Sequence, residues 1–251
     1  MQRAQRRRRQ KEREEHKEKA KARGMAEIAR GAEAVLYRSN GKLLKIRESK
    51  EYRHKEIDVE LRKYRTRHEA RIIQRLSHII PVPIVYEVNE DSSKIVMEFI
   101  EGKKLSESLE SFSHAEREII ATQVGESIAL MHNVGIIHGD LTTSNMIYRE
   151  GKVYFIDFGL AFHSQRIEDK AVDIYLLIQA LKAKHYKIWR TFVEAILKAY
   201  FKKVDNGQAI KAQLAKVEAR RRYKGKATKE GKESAKGEGE EGMSESIEIN
   251  F

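Results

Sequence analysis

The sequence contains no cysteine and only two prolines among its 251 residues. The lack of cysteine excludes disulfides, thiolate metal ligands and a cysteine nucleophile, and it fits a reducing compartment. Long apolar runs are lacking as well, because no segment approaches the roughly 18 residues of a membrane span. The N-terminus also lacks the apolar segment of a secretory signal. We therefore expect a soluble cytoplasmic protein without a membrane partner, with the nucleus as a further location in a eukaryote.

Positive charge is concentrated at the two ends of the chain. Residues 1–24 hold eleven Lys and Arg against four Glu, a surplus of seven in a net charge of +12. We expect this basic extension to be helical or disordered; it is a solvated charge run, a nucleic-acid contact or sequence ahead of a start at Met25. A second basic cluster occupies residues 216–226. Residues 227–251 have few apolar side chains, which predicts a disordered tail.

The pattern of apolar residues first predicts a β-hairpin and then a long helix. Two β-type runs, Ala34 to Tyr37 and Leu43 to Ile46, flank a Ser-Asn-Gly turn. A helix is predicted from Lys55 to Ser77, and the two prolines, Pro81 and Pro83, follow its end. Its apolar or partly apolar residues recur at a spacing that predicts one buried stripe: Ile57, Leu61, Tyr64, His68 and Ile72.

Two further strands are predicted at residues 84–88 and 94–100, after which the pattern becomes helical. The chain thus divides into a β-rich segment with one long helix, residues 25–100, and a mostly helical segment, residues 101–226. This order is typical of an α+β fold. With 40% hydrophobic residues, the chain is sufficient for one two-lobed domain or two small ones.

Two short motifs near the start of the helical segment carry the chemistry. Asp140 and Asn145 stand five residues apart in His-Gly-Asp-Leu-Thr-Thr-Ser-Asn, which is the offset of a kinase catalytic loop. Asp157 opens an Asp-Phe-Gly sequence directly after an apolar strand, the context expected for a metal-binding carboxylate. Phosphoryl transfer requires bound ATP, Mg²⁺ and an oriented attacking oxygen. We therefore predict Asp140 as the catalytic base and Asn145 and Asp157 as Mg²⁺ ligands.

A kinase site also requires a lysine and a glutamate in the first segment. Lys45, near the end of the second run of the hairpin, is predicted to contact the nucleotide phosphates, with Lys42 as the alternative. Glu69, on the long helix, is predicted to pair with that lysine. Glu56 and Glu60 lie on the same helix and are its alternatives.

Two backbone segments complete the predicted nucleotide site. The first takes the place of the phosphate-covering loop but has one glycine where the usual motif has three. The second is a strand end that suits the hinge beside adenine, or is a plain strand end. The residues predicted to bind nucleotide in these segments are Gly31, Ala32, Glu33 and Ala34 in the loop, and Met97, Glu98 and Ile100 at the hinge.

Taken together, these motifs resemble the small atypical kinase subunit of the KEOPS complex, also called the PRPK family, which is related to the RIO kinases. The resemblance runs from about Met25 to Lys226, and its Gly-Ala-Glu-Ala and Arg-Thr-Arg-His-Glu-Ala stretches are not general kinase features. The matching segments are Gly31 to Ala34, Tyr52 to Lys55, Arg65 to Ala70, His138 to Asp140, Thr143 to Asn145, Asp157 to Gly159 and Lys170 to Asp173.

The resemblance implies a bilobal protein-kinase-like fold with a small β-rich N-lobe and a reduced, mostly helical C-lobe. It implies ATP and Mg²⁺ as cofactors and a role supporting threonylcarbamoylation of adenosine 37 in tRNAs that read codons beginning with A. The implied partners are the threonylcarbamoyl-transferase subunit, small regulatory subunits and, through the assembled complex, tRNA. The second basic cluster is expected to contact tRNA or the partner, or else to be a solvated helix end: Arg220, Arg221, Arg222 and Lys224.

Three departures from ordinary protein kinases argue against regulation by activation-loop phosphorylation and indicate slow peptide phosphorylation. Gly139 replaces the arginine that pairs with a phosphorylated activation loop, and Thr142 replaces a lysine beside the transferred phosphoryl group. Only thirteen residues separate Gly159 from Asp173, which leaves little platform for a peptide. Asp173 is expected to bond the catalytic-loop backbone, or to be a surface acid. The competing functions are a free-standing RIO-type kinase, a small-molecule phosphotransferase and a non-catalytic scaffold.

Overall fold

The computed structural model describes residues 26–233, and side chains as far as residue 220. The predicted basic extension, residues 1–24, lies outside this part of the chain. An N-terminal lobe combines a five-stranded antiparallel sheet with one long helix, and a C-terminal lobe consists mainly of helices. The α+β, two-lobed expectation is thereby confirmed.

The N-lobe sheet has the strand order β1-β2-β3-β5-β4. Its strands are β1 (Ala26–Arg30), β2 (Ala34–Ser39), β3 (Lys42–Arg47), β4 (Val85–Asn89) and β5 (Lys94–Glu98). The predicted hairpin is β2 and β3, closed at the pair Ser39 and Lys42. Asn40 and Gly41 between them both have positive φ, as a two-residue Asn-Gly turn requires. The turn chemistry therefore fixes the register that places Lys45 opposite Leu36.

Helix α1 (Lys55–Leu76) packs on this sheet, but the predicted apolar stripe is wrong. Ile57 and Tyr64 are 64% and 54% exposed, and only Ile72 of the stripe is buried. The buried face instead includes two carboxylates, Asp58 and Glu69. Each of these is paired with a cation, which offsets the cost of burying it and allows this face of the helix, in place of the predicted apolar stripe, to be buried.

The core of the C-lobe is formed by helices that pack on one another. They are α2 (Leu105–Ser108), α3 (His114–Asn133), α4 (Ile167–Lys184), α5 (Trp189–Lys203) and α6 (Gly207–Glu233). Helix α3 begins with a capping box, in which Ser113 and Glu116 exchange hydrogen bonds with each other's backbone. Gly125 in α3 lies so close to α5 that a methyl group there would approach the Ile196 carbonyl oxygen to 2.3 Å. The absent side chain at this position allows the two helices to pack closely.

Short strands at the lobe boundary hold the catalytic loop. Strands β6 (Lys103–Lys104), β8 (Met146–Arg149) and β9 (Lys152–Phe155) form one small sheet, and β7 (Ile136–Ile137) pairs with β10 (Phe162–His163). The catalytic loop lies between β7 and β8 and contains a 3-10 turn, Thr143–Asn145. Both ends of the loop are thus fixed by strand pairing.

The last helix extends further than the sequence suggested. Helix α6 continues to Glu233, so residues 227–233, which we expected to be disordered, are helical. Lys, Glu and Ala dominate this stretch and have high helix propensity, so a helix can continue there without an apolar face. The rest of the predicted tail, residues 234–251, lies outside the described residues. In the described part of the chain, no helix is long and apolar enough to cross a membrane.

Candidate active site

The catalytic loop brings Asp140 and Asn145 into direct contact. The Asn145 side-chain amide donates to the Asp140 carboxylate at 2.9 Å and to the Asp140 carbonyl at 3.0 Å. The amide nitrogen therefore faces Asp140, and the amide oxygen is the Asn145 atom suited to a cation. The 3-10 turn supports this arrangement, because the backbone N–H of Asn145 donates to the Thr142 carbonyl at 3.0 Å.

Asp173 on helix α4 anchors the start of this loop. Its two carboxylate oxygens accept from the backbone amides of His138 and Gly139, both at 2.9 Å. The same carboxylate contacts His132 at 3.2 Å, and the other ring nitrogen of His132 contacts the hydroxyl of Tyr200 at 2.8 Å. Asp173 is 1% exposed. The expectation that Asp173 bonds the catalytic-loop backbone is confirmed, and the alternative of a surface acid is wrong.

His138 is buried beneath the loop as a neutral imidazole. Burial lowers the pKa of His138, although Asp173 and Asp140 oppose this effect. Its Nδ1 accepts from the Asp140 amide at 3.3 Å, a role that requires an unprotonated nitrogen. His138 thus supports the backbone of the predicted catalytic base.

Gly139 has a backbone requirement that explains its presence in the motif. Its φ is +77°, and a methyl group there would lie 2.5 Å from the Leu160 carbonyl oxygen. An arginine at this position would meet both the strained backbone and the clash. The loop geometry therefore excludes the usual kinase arginine here.

Asp157, Lys45 and Glu69 form a chain of charges between the two lobes. The Lys45 ammonium donates to Glu69 and to Asp157, both at 2.7 Å. Burial alone would lower the pKa of Lys45, but the two carboxylates outweigh it and raise that pKa. The Asp157 side chain is 53% exposed, and the partial desolvation of its carboxylate opposes ionisation, yet Lys45 holds its pKa below the usual range. Lys45 and Asp157 are therefore both charged at neutral pH.

A fourth member of this cluster was missed by sequence reasoning. The guanidinium of Arg47 donates to the second oxygen of Glu69 at 2.5 Å, and Arg47 is only 4% exposed. Arg47 lies on β3 two residues after Lys45, so both side chains are on the same face of the sheet. That period of two was the only signal in the sequence.

The loop between β1 and β2 covers a cavity of about 390 Å³ that also contains the charged cluster. The predicted loop residues all line the cavity together with the predicted lysine, base and metal ligand: Gly31, Ala32, Glu33, Ala34, Lys45, Asp140 and Asp157. The Glu33 carboxylate accepts from Arg53 at 3.1 Å and from Arg65 at 2.8 Å. Glu33 therefore ties the loop to helix α1 and the residues before it, which differs from the predicted contact with nucleotide.

Among the described residues, those that line this cavity do not include the predicted hinge residues. Met97 and Ile100 are each 4% exposed in the core. The backbone amide of Glu98 donates to Ile84, and its carboxylate accepts from Arg149 at 2.9 Å. The place of these residues at the adenine end of the site remains a prediction from the sequence.

The donor set suits a magnesium ion only if the nucleotide supplies further ligands. Among the described residues, no group of three or more His, Asp or Glu could hold a metal by itself. The Asn145 amide oxygen and the ionised Asp157 carboxylate are hard oxygen donors of the type that Mg²⁺ prefers. Since Mg²⁺ commonly binds through one or two protein ligands plus substrate phosphates, these two residues fit it.

The basic C-terminal cluster lies on helix α6. Arg220 forms an ion pair with Glu168 at the start of α4, with a distance of 3.0 Å between Nη1 and Oε1. Arg221, Arg222 and Lys224 lie on the same helix, where the structure does not describe side chains. One member of the cluster thus has an internal partner, and the proposed contact with tRNA or a protein partner remains a prediction.

Comparison with known proteins supports the kinase interpretation of this geometry. Residues 32–173 match the model of the RIO domain. The KEOPS complex subunit Bud32 of Pyrococcus abyssi is 44% identical over 213 residues, and the match covers 80% of this chain and 97% of that protein.

A second relative is a longer protein. A probable bifunctional tRNA threonylcarbamoyladenosine biosynthesis protein of Methanothermobacter thermautotrophicus is 38% identical over 201 residues, covering 78% of this chain and 36% of that protein.

Among solved structures, the complex of Rio2 kinase with ADP/Mg²⁺-phosphoaspartate from Chaetomium thermophilum has a TM-score of 0.53. It is 14% identical and covers 79% of this chain and 74% of that chain, a likeness of fold.

Proposed function

The chain belongs to the RIO-domain family that includes Bud32, and we propose that it is a Mg²⁺- and ATP-dependent atypical serine/threonine kinase and ATPase of the KEOPS complex. One observation carries the enzymatic part of this proposal. A single cavity holds the Lys45 and Asp157 pair, backed by Glu69, together with Asp140, which is bonded to Asn145.

In the proposed mechanism, each of these side chains has a separate task. Lys45 would neutralise the nucleotide phosphates, and Asn145 and Asp157 would hold Mg²⁺. The bound metal would supply charge neutralisation on the transferring phosphoryl group. Asp140 would accept the proton of the attacking oxygen, and its contact with Asn145 orients its carboxylate for that task.

The geometry favours water, or a hydroxyl held by a partner, over an extended peptide as the attacking group. Helix α4 begins at Ile167, only eight residues after Gly159, so the segment that usually supports a peptide is very short. Gly139 leaves no cation to receive an activation-loop phosphate. The proposed activity is therefore mainly ATP hydrolysis, with slow phosphorylation of the protein itself or of partners.

The proposed biological role follows from the names of the relatives. One is a subunit of the KEOPS complex, and the other is a bifunctional tRNA threonylcarbamoyladenosine biosynthesis protein of which this chain matches 36%. We propose that this chain acts beside a separate threonylcarbamoyl-transferase subunit, with small regulatory subunits, and meets tRNA through the assembled complex. A cytoplasmic location is part of this proposal.

ATP turnover measured with and without a transferase partner tests the proposal. We expect Mg²⁺-dependent ADP release that increases when the transferase is added. Asp140→Asn should retain ATP binding and lose turnover, because the base acts on the attacking oxygen and not on the nucleotide. Turnover that is independent of the transferase would favour a free-standing RIO-type kinase. Absence of turnover together with normal assembly would favour a scaffold.

A further inference from the structure

The loop between β1 and β2, residues 31–33, lines the cavity in a conformation that does not require glycine. In the described structure, residues 31–34 all have φ values outside the positive region. A methyl group on Gly31 would have the Ala34 carbonyl oxygen as its nearest described neighbour, at 3.7 Å. Ordinary residues adopt such a backbone, so a glycine-rich sequence is not what holds this loop in place.

Three cations from the segment after β3 bind this loop. The Lys50 ammonium donates to the Ala32 carbonyl. The two oxygens of the Glu33 carboxylate accept separately, from Arg53 at 3.1 Å and from Arg65 at 2.8 Å. Partial desolvation raises the pKa of Glu33, but the hydrogen bond from Arg53 and the charge of Arg65 outweigh it and lower that pKa. Glu33 is therefore ionised at neutral pH and is held by two opposite charges.

The segment that supplies these cations is itself fixed. Asp58 is 2% exposed, and its carboxylate lies 3.6 Å from Arg53 Nη1. The same carboxylate accepts from Arg62 at 2.8 Å and from the backbone N–H of Lys50 at 3.3 Å. Among the described residues, those that line the cavity do not include Arg53. Arg53 can therefore affect a bound nucleotide through Glu33 and the loop without contacting the nucleotide itself.

We propose that Glu33 is a positioning residue that holds the loop over the nucleotide phosphates through its ion pairs with Arg53 and Arg65. This inference rests on the proposed ATP-dependent function and deepens it. In ordinary kinases, a flexible loop with three glycines covers the phosphates. Here contacts within the protein fix the loop, so ATP binding does not have to order it. Because Arg65 belongs to α1, the same pairs fix the loop relative to Glu69 and the Lys45 that contacts it.

Glu33→Gln, Arg53→Gln and their double variant test this inference, with Glu90→Gln as the matched control. Glu90 pairs with Arg67 of the same helix at 3.3 Å, and its side chain is 41% exposed against 39% for Glu33. Glu33→Gln should raise the Kd of ATP about fivefold, a size typical of the stronger partly exposed ion pairs. AMP lacks the β- and γ-phosphates that the loop covers, so its Kd should stay within about twofold of wild type in every variant. Glu90→Gln should change neither Kd.

The double variant and hydrogen exchange distinguish positioning from other roles. Arg53→Gln should weaken ATP binding less than Glu33→Gln, because Arg65 still holds the loop, and the double variant should be no worse than Glu33→Gln alone. Exchange of the Gly31 amide, which donates to the Ala34 carbonyl at 2.9 Å, should become faster in both single variants. Losses of ATP affinity that multiply in the double variant would overturn the inference. A loss confined to solutions containing Mg²⁺ would also overturn it, since Glu33 would then be a metal ligand.

Failure of the proposed function is distinguishable from failure of this inference. A wild-type protein that binds ATP without turning it over would contradict the proposed activity, while the ATP and AMP affinities would still decide the role of Glu33. Normal wild-type turnover with unchanged ATP affinity in Glu33→Gln would contradict the inference alone, and a lower thermal midpoint in that variant would then make its ion pairs structural only. If Glu33→Gln does not fold, Arg53→Gln gives the same comparison of ATP with AMP, because Arg53 lies outside the cavity lining.

Discussion

At the scale of single residues, the geometry of the catalytic loop restricts position 139 to glycine. Its φ of +77° places it where a side chain is strained, and the Leu160 carbonyl occupies the space that a side chain needs. We predict that Gly139→Ala lowers the free energy of unfolding by about 3 kcal/mol and abolishes turnover, because strain and clash combine. Denaturant unfolding and ATP turnover measure the two effects.

Gly151 provides the matched control for this prediction. Its φ is +80°, but nothing lies within 4 Å of the position of an added methyl group. Gly151→Ala should therefore cost about 1 kcal/mol from backbone strain alone and leave turnover unchanged. Equal losses of unfolding free energy and of turnover in the two variants would show that the contact with Leu160 has no effect.

His138 gives the protein a defined dependence of stability on pH. Burial lowers its pKa below the ordinary value of 6.5, so the unfolded chain binds a proton more readily than the folded one. The stability from neutral His138 is therefore present above pH 6.5 and is lost as the pH falls towards the folded-state pKa. Burial lowers the pKa of His185 as well, which adds an effect of the same sign.

We predict that the free energy of unfolding falls between about pH 7.5 and about pH 5.5, and that His138→Asn reduces this fall. Asparagine does not titrate and retains an acceptor for the Asp140 amide. Urea unfolding at several pH values measures the effect, with exposed His78→Asn as the control. An unchanged slope in His138→Asn would mean that His138 does not titrate in this range.

At the scale of elements, the contact between α3 and α5 depends on one small residue. A methyl group on Gly125 would lie 2.3 Å from the Ile196 carbonyl and 3.0 Å from the Tyr200 amide nitrogen. We predict that Gly125→Ala lowers the free energy of unfolding by about 3 kcal/mol, since two helix backbones must separate. Gly207→Ala, whose nearest neighbours would lie at 3.5 Å, should be neutral or stabilising by about 1 kcal/mol.

Chemical denaturation of both variants decides this prediction. A stability of Gly125→Ala equal to that of Gly207→Ala would show that α5 adjusts without cost. Gly125 packs against the same turn of α5 that carries Tyr200, which contacts His132 and, through it, Asp173. Separation of these helices should therefore also reduce turnover.

The sequence predicted the elements better than the faces they bury. The hairpin and the long helix follow from turn residues, prolines and periodicity, which are local signals. The buried face of α1 does not follow from such signals. Asp58 is paired with Arg62 one turn along the same helix, but Glu69 enters the interior only with cations from a distant strand. A rule that places charged residues outside is wrong where each charge is paired.

The part of the site that could be predicted from the sequence is the part whose residues lie in short motifs. Asp140, Asn145 and Asp157 lie close together in sequence, and their grouping follows from short motifs. Arg47 and the two arginines that hold Glu33 could not be assigned, since this chain is rich in arginine and only the fold selects among them.

At the scale of the whole molecule, net charge links the chain to its proposed RNA partner. The basic cluster on α6 adds to a net charge of +12. We predict that neutralising it lowers tRNA affinity of the assembled complex and reduces the salt dependence of binding, because fewer phosphates are neutralised. The substitutions are Arg220→Ala, Arg221→Ala, Arg222→Ala and Lys224→Ala.

The control removes the same number of positive charges elsewhere on the surface. Four exposed lysines on the C-lobe serve this purpose: Lys182, Lys184, Lys187 and Lys202. Binding isotherms at two salt concentrations compare the two variants, and ATP turnover of the isolated chain should be unchanged in both. Equal losses of tRNA affinity would contradict a specific role for the α6 cluster.

The central claim is that this chain supplies ATP-dependent chemistry to a tRNA-modifying complex through Asp157. The most direct measurement is threonylcarbamoylation of tRNA adenosine 37 in a complex reconstituted with either the wild-type chain or Asp157→Ala. The Asp157 side chain is 53% exposed, so its removal should leave folding and assembly intact while removing a metal ligand. The account predicts modification with the wild-type chain and less than about a tenth of that rate with the variant. Equal modification by the two complexes would contradict it.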